Sequence, residues 1–374
     1  MEELKSWSKA WNAETLTDTV GQVTLLKHPG GISPKGAIAA PSGGTVIAAY
    51  AYHDNQSGLY DVVYIHLDES GSLIDTQHEQ EGVLPELFHS PDGAVWVSLG
   101  TTHGKELDIA LPLYGRSDHD APKGSRPFPG KYAASAGTSA WFHDEDWFSD
   151  KKPDRLLRLE FADGRIQSNK VIKLPMPKNN KISLDPEGKL HLLTVLHQEE
   201  ELLHRTLDSQ GNVMEEHRLS GFDADLLEVL ELGSERDMRV IFTLGNALNL
   251  GVVAPDGRRE THALHELPSP FYSVWEPVRL ADGVDIIRFT FEEGNGWAIV
   301  QNTELRAIFT HSGERGYTNQ LTGELLPIPA SPASESLVLN DICRVSDQAY
   351  RVIIYPMMNG AAKPQQLFIA QLEL

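Results

Sequence analysis

Short runs of alternating or continuous apolar residues, each opened by a Gly, Asp or Ser turn, recur along most of the chain. "SPDGAVWVSLG" (90–100) stands beside "APSGGTVIAAYAY" (40–52), "SAGTSAWFHDE" (135–145), "LDPEGKLHLLTVLH" (184–197), "LGSERDMRVIFTLG" (232–245), "LADGVDIIRFTFEE" (280–293) and "RVSDQAYRVIIYPM" (344–357). A turn followed by residues of β type is the signature of a hairpin. Downstream of most of these runs a second turn again separates strand-like stretches, as in "YIHLDESGSLID" (64–75), "LRLEFADGRIQ" (157–167), "HRTLDSQGNVME" (204–215) and "LGVVAPDGRRE" (250–260). Each unit therefore offers four strands.

The first turn of each unit falls near Gly43, Gly93, Gly137, Gly188, Ser234, Gly283 and Asp347, in steps of 50, 44, 51, 46, 49 and 64 residues. That spacing is what a four-stranded repeat needs. Such turns, most clearly "SPDGAVWVS", resemble the general β-propeller repeat, and the resemblance implies the fold class. The expected architecture is all-β, a seven-bladed propeller of four-stranded antiparallel blades in one domain, 1–374. Its blades fall at about 33–80, 82–128, 130–176, 178–221, 223–269, 271–330 and 335–374. Six or eight blades are the alternatives, because segment 302–335 is irregular. The last unit shows three obvious strands, and the strand-like run "GQVTLLKH" (21–28) precedes the first unit. Pairing that run into the C-terminal blade would close the ring and leave no open sheet edge. No specific family is matched. Asp92-Gly93 is one residue too short for a sialidase-type Asp box, and WD-repeat and kelch signatures are absent. The only fair helix candidate spans Lys5 to Leu16.

Composition narrows the partners. With 53 acidic against 32 basic residues the net charge is −21, and a surface of that sign repels phosphate backbones and anionic membranes. Hydrophobic residues make up 40% of the chain, enough for a sizeable core. Cys343, the single cysteine, sits in the apolar run "LNDICRV" and reads as a buried inert thiol. The start "MEELKSWSKAW" lacks the apolar segment of a secretory signal, and the uncharged run Gly36 to Tyr52 is broken by Pro41-Ser42-Gly43-Gly44. A cytoplasmic protein is expected.

Candidate chemistry lies in the connections between second and third strands, which a propeller gathers on one face. Four consecutive units place a histidine there: His53, His103, His143 and His197. The segment "WFHDEDWFSD" (141–150) adds Trp141, Asp144, Asp146 and Trp147, aromatic faces beside carboxylates that suit a sugar ring or a cationic group. Tyr132 and Trp275 open first strands at the same face. At the channel mouth Glu86, Asn180 and Asp225 supply oxygens of the kind that Ca²⁺ takes. In outline that arrangement looks like the carboxylate and amide metal site of lactonase-type propellers. No GxSxG, phosphate-binding loop, dinucleotide fingerprint or cysteine zinc pattern is present. The expected function is therefore a module binding a sugar-like small molecule or a protein. The alternative is a Ca²⁺-assisted hydrolase or lyase acting on a sugar or lactone, with His143 or His197 as the base.

Overall fold

The computed structural model describes residues 12–18, 21–41, 43–53, 59–79, 83–100, 107–112, 131–144, 153–163, 165–176, 180–185, 188–196, 201–220, 225–232, 237–254, 256–281, 284–311, 316–326, 336–346, 348–357 and 364–373. Among them every regular element is a β-strand, and the strands form seven antiparallel sheets.

Two strands, β1 (Asn12–Asp18) and β2 (Gly21–Lys27), come first in the chain. The first sheet holds β3 (Ile32–Ala39), β4 (Thr45–Tyr52), β5 (Tyr60–Leu67) and β6 (Leu73–Glu79). The second holds β7 (Val83–His89), β8 (Val95–Gly100) and β9 (Leu107–Pro112). The third is β10 (Lys131–Ala136), β11 (Ser139–Asp144), β12 (Arg155–Ala162) and β13 (Arg165–Lys173). The fourth is β14 (Asn180–Leu184), β15 (Leu190–Leu196), β16 (Glu201–Leu207) and β17 (Val213–Ser220). The fifth is β18 (Leu226–Leu232), β19 (Met238–Leu244), β20 (Ala247–Val253) and β21 (Arg259–Glu266). In the sixth, β22 (Phe271–Ala281), β23 (Val284–Phe291), β24 (Gly294–Gln301) and β25 (Glu304–His311) are extended by the short β26 (Tyr317–Asn319). The seventh combines β27 (Ser336–Arg344), β28 (Ala349–Met357) and β29 (Gln366–Glu373) with the two N-terminal strands, in the order β1-β2-β29-β28-β27. There Val23 to Lys27 pair with Ala370 to Gln366.

The first strand of each sheet touches that of the next, and β27 touches β3. This is a β-propeller arrangement of antiparallel sheets. The core lies between neighbouring sheets as well as within them. Phe88 and Trp96 meet Phe142 and Phe161 between the second and third, while Trp141, Leu156 and Ile172 meet Ile182, Leu192 and Leu207 between the third and fourth. Strands sandwiched on both faces read as continuous apolar runs. All eight residues of β4 are buried, and the outer strand β17 (VMEEHRLS) is almost wholly exposed.

The recurring turn has one construction in six hairpins. In "SPDGA", Ser90 C=O accepts from Gly93 N–H at 2.8 Å and Ser90 N–H donates to Ala94 C=O at 2.9 Å. The same pair of bonds closes the turns at Ala40, Asp68, Asp185, Asp208 and Ala254. The fourth residue takes a left-handed conformation, φ 82° at Gly93, which a side chain resists. Where Asp opens the turn, its carboxylate adds a bond to the amide four residues on: 2.9 Å from Ser72, 2.7 Å from Lys189 and 2.9 Å from Asn212.

The helix expected over Lys5 to Leu16 is corrected where the chain is described. Asn12 to Leu16 belong to β1, which pairs residue for residue with β2 from Asn12↔Lys27 to Asp18↔Gly21. An available sheet edge outweighs the weak helical preference of "NAETLTD". No helix among the described residues is long and apolar enough to cross a membrane.

Candidate functional site

The junction of the third and fourth sheets carries a group of buried polar side chains that includes the sequence candidates His143 and Asn180. Period-two alternation explains it. On β11, Trp141 packs into the apolar cluster shared with the fourth sheet, so His143 two residues on lies on the same face. By the same rule Asp154 accompanies Leu156, Asn180 accompanies Ile182, Thr194 accompanies Leu192, and Arg205 accompanies Leu207. His143, Asp154, Asn180 and Thr194 cap the cluster at the end where second strands pass to third strands, and Arg205, paired with Leu192 further along β16, reaches that level with its guanidinium.

His143 Nε2 stands 3.4 Å from Asp154 Oδ2, the residues being 8% and 2% exposed. The Asp154 carbonyl accepts from Leu174 N–H at 2.8 Å. Two residues further, the Met176 carbonyl accepts from Arg205 Nη1 at 2.7 Å, so one short segment joins the two halves of the junction. Asn180 Oδ1 accepts from Thr194 Oγ1 at 2.7 Å and from Arg205 Nη2 at 3.3 Å. Burial pushes the Arg205 guanidinium below its ordinary pKa, Glu216 partly opposing this.

The remaining candidates are dispersed. Trp141 is enclosed in the apolar cluster, with the Arg158 guanidinium 5.1 Å from its ring centroid. Tyr132 stacks on Phe88 at 5.6 Å and donates to Ser135 Oγ at 2.9 Å, which places it between the second and third sheets. His53 meets Asp61 at 3.2 Å on the first sheet and is exposed. Asp144 ends β11 opposite Arg155, and Trp275 lies on β22 opposite Arg288. His103, Asp146, Trp147 and His197 lie outside the described residues.

Of the three oxygen donors considered for Ca²⁺, Glu86 sits on β7 opposite Ser98. Asp225 is exposed and accepts from Gly245 N–H at 2.5 Å, fixing the β19–β20 turn. Asn180 Oδ1 faces a guanidinium, a position that repels a second cation. Among the described residues no group of three or more His, Cys, Asp or Glu is placed to hold a metal ion. Cys343 is buried, and desolvation pushes its thiol up to about 12, far from a nucleophile's range.

Sequence reasoning did not single out Asp154 or Arg205. The signal for Arg205 was present: a charged residue inside "ELLHRTL", a third strand buried on both faces, needs a reason to be there.

No family model matches the chain, and no curated protein matches it. Solved structures do. One is a streptogramin B lyase, 14% identical over 98% of this chain and 99% of that one, with a TM-score of 0.44. Another is the polysaccharide lyase Uly1, 9% identical over 91% of this chain and 90% of that one, at 0.47. A third is prolyl oligopeptidase B from Galerina marginata, 11% identical over 87% of this chain and 47% of that one, at 0.47. The similarity is one of fold, and fold does not carry chemistry with it.

Proposed function

We propose that the chain is a cytoplasmic, closed seven-bladed propeller forming one domain over 1–374, and that it binds a small molecule at the face made by its second-to-third strand connections. Closure is supported by the bonds across the seventh and first sheets. Asp341 Oδ2 accepts from Ala37 N–H at 2.7 Å, Asn340 Nδ2 donates to the Pro34 carbonyl at 3.1 Å, and Thr24 Oγ1 on β2 donates to the Gly71 carbonyl at 2.6 Å. The unbroken cycle of contacts between first strands supports the count of seven.

The observation that carries the binding site is the His143–Asp154 pair. Two ionisable side chains are enclosed at 3.4 Å beside the longest second-to-third connection, and enclosed polar groups of this kind concentrate where ligands bind. A thermal-shift panel of monosaccharides, sugar lactones and uronates tests it. Compounds that raise the melting temperature of the wild type lose that effect in His143→Ala and in Asp154→Asn. A ligand whose effect survives both changes binds elsewhere and overturns the location. A histidine oriented by a carboxylate is also the arrangement of a general base. Turnover of a panel compound that His143→Ala abolishes would make this an active site.

A further inference from the structure

Three arginines among the described residues are buried, and they are not equivalent. Arg239, 5% exposed, donates to the Asp285 carboxylate at 2.8 Å and to the Asn302 carbonyl. Arg351, 1% exposed, donates to Thr45 Oγ1 at 2.7 Å and to the Glu69 carbonyl at 2.5 Å; burial pushes its guanidinium below its ordinary pKa, with the charges of Cys343, Asp68 and Glu69 partly opposing this. Arg205, 2% exposed, donates only to the neutral oxygens of Met176 and Asn180. Its Nε is enclosed without an acceptor. Glu216 is the carboxylate whose charge reaches it, and no ion pair forms between them. A buried guanidinium is costly without a counter-charge, and its planar fork is shaped for a carboxylate.

We propose that the junction of the third and fourth sheets takes a ligand bearing a carboxylate, with Arg205 Nε–H donating to it and the ligand supplying the missing counter-charge. The assignment rests on the binding face proposed above and names the class of molecule that enters it. Selectivity follows from the two scales of charge. The guanidinium attracts one anionic group at short range, while the net charge of −21 repels polyanions at long range. The ligand is therefore a small monoanion, not an acidic polymer.

Full-length protein labelled with ¹⁵N-arginine provides the test, read at the protected Nε–H resonance of Arg205. Sodium acetate and sodium glucuronate are titrated against sodium chloride at equal ionic strength, with glucose as the uncharged match for glucuronate. Acetate and glucuronate shift the Arg205 resonance saturably, and neither chloride nor glucose does. Calorimetry then shows glucuronate binding weakened at least tenfold in Arg205→Lys, a variant that keeps the charge and loses the fork. If neither carboxylate moves the wild-type resonance, Nε is satisfied by water and the proposal falls, whatever the variant does. If glucose and glucuronate bind equally and both lose affinity in His143→Ala but not in Arg205→Lys, the binding face stands and the carboxylate assignment falls. Carboxylate binding that ignores His143→Ala and is lost in Arg205→Lys leaves the assignment and removes the face.

Discussion

The junction between the fifth and sixth sheets and the junction between the third and fourth each bury an arginine, and they use it differently. Arg239 reaches from the second strand of the fifth sheet to Asp285 at the start of the second strand of the sixth, and to a carbonyl at the turn between its third and fourth strands. Arg351 repeats that geometry from the seventh sheet to the first, with Thr45 in place of Asp285 and the Glu69 carbonyl in place of that of Asn302. These are staples. Arg205 starts from a third strand and bonds within its own sheet and to the segment leading into it, and forms no ion pair with Glu216, the carboxylate whose charge reaches it. The same residue type therefore holds two sheets together where the neighbouring sheet supplies acceptors for its head, and leaves a donor open where it does not.

The largest effect should come from breaking the complete pair. Arg239→Met removes the guanidinium that faces the buried Asp285 carboxylate, and urea unfolding should register a loss of about 3–5 kcal/mol. Replacing both partners, in Arg239→Met with Asp285→Leu, should return most of that loss, because an apolar pair has no unpaired charge. A single change costing under about 1 kcal/mol would show that the pair is not a staple.

Next comes the packing of the third and fourth sheets against each other. Gly211 has φ 90°, and a Cβ there would lie 2.4 Å from Ile172 Cγ2 on β13. Gly211→Ala combines backbone strain with a collision across the junction, and about 2–3 kcal/mol should be lost. Gly93→Ala is the control: φ is 82° but nothing lies within 4 Å of the added carbon, so only the strain of about 1 kcal/mol remains.

The contrast between turns and junctions also describes what the sequence made legible. Turns are local: a glycine forced to positive φ and an Asp or Ser three residues before it are visible in "SPDGA" and "LDSQG", so the propeller arrangement could be read from their recurrence. The sandwiched strands were visible as apolar runs. β1 was not, because "NAETLTD" is an edge strand without a large apolar alternation and borrows its order from β2. In the site, His143 stood out in an aromatic and acidic segment, but its partner Asp154 lies across a connection whose path no local rule fixes. Asn180 was noticed as an oxygen donor, but its bond to a guanidinium from β16 was not legible, because that contact is set by side-chain reach across a sheet.

Acid should separate the seam between the seventh and first sheets from the fourth sheet. Asp341, which accepts the Ala37 amide across that seam, is raised by desolvation to about 6. A raised carboxyl contributes stability below its unfolded value near 4 and loses it as pH rises through 6. The stability of the wild type relative to Asp341→Asn should thus fall from pH 4 to pH 7, by roughly 2–3 kcal/mol. His204 on β16 shares a 2.9 Å contact with His191 and is lowered to about 4, chiefly by burial and then by the charges of His191, His217 and Lys189. Its contribution is present above its unfolded value near 6.5 and is lost as pH falls toward 4. Relative to His204→Gln, the wild type should lose about 2–3 kcal/mol over that window, the opposite slope. Parallel slopes in both variants would remove the distinction.

The smallest effect is the most discriminating. Arg205→Met deletes two hydrogen bonds to neutral oxygens, worth about 1–3 kcal/mol together, and also removes the cost of burying an unpaired guanidinium, which acts in the other direction. The two nearly cancel, and without ligand the unfolding midpoint should move by less than the equivalent of about 1 kcal/mol. Arg239→Met and Arg205→Met then differ severalfold in stability, although each removes a guanidinium that is at least nine-tenths buried. A loss at Arg205 as large as that at Arg239 would mean that its neutral partners suffice as a staple, and that the open donor is tolerated without waiting for a ligand.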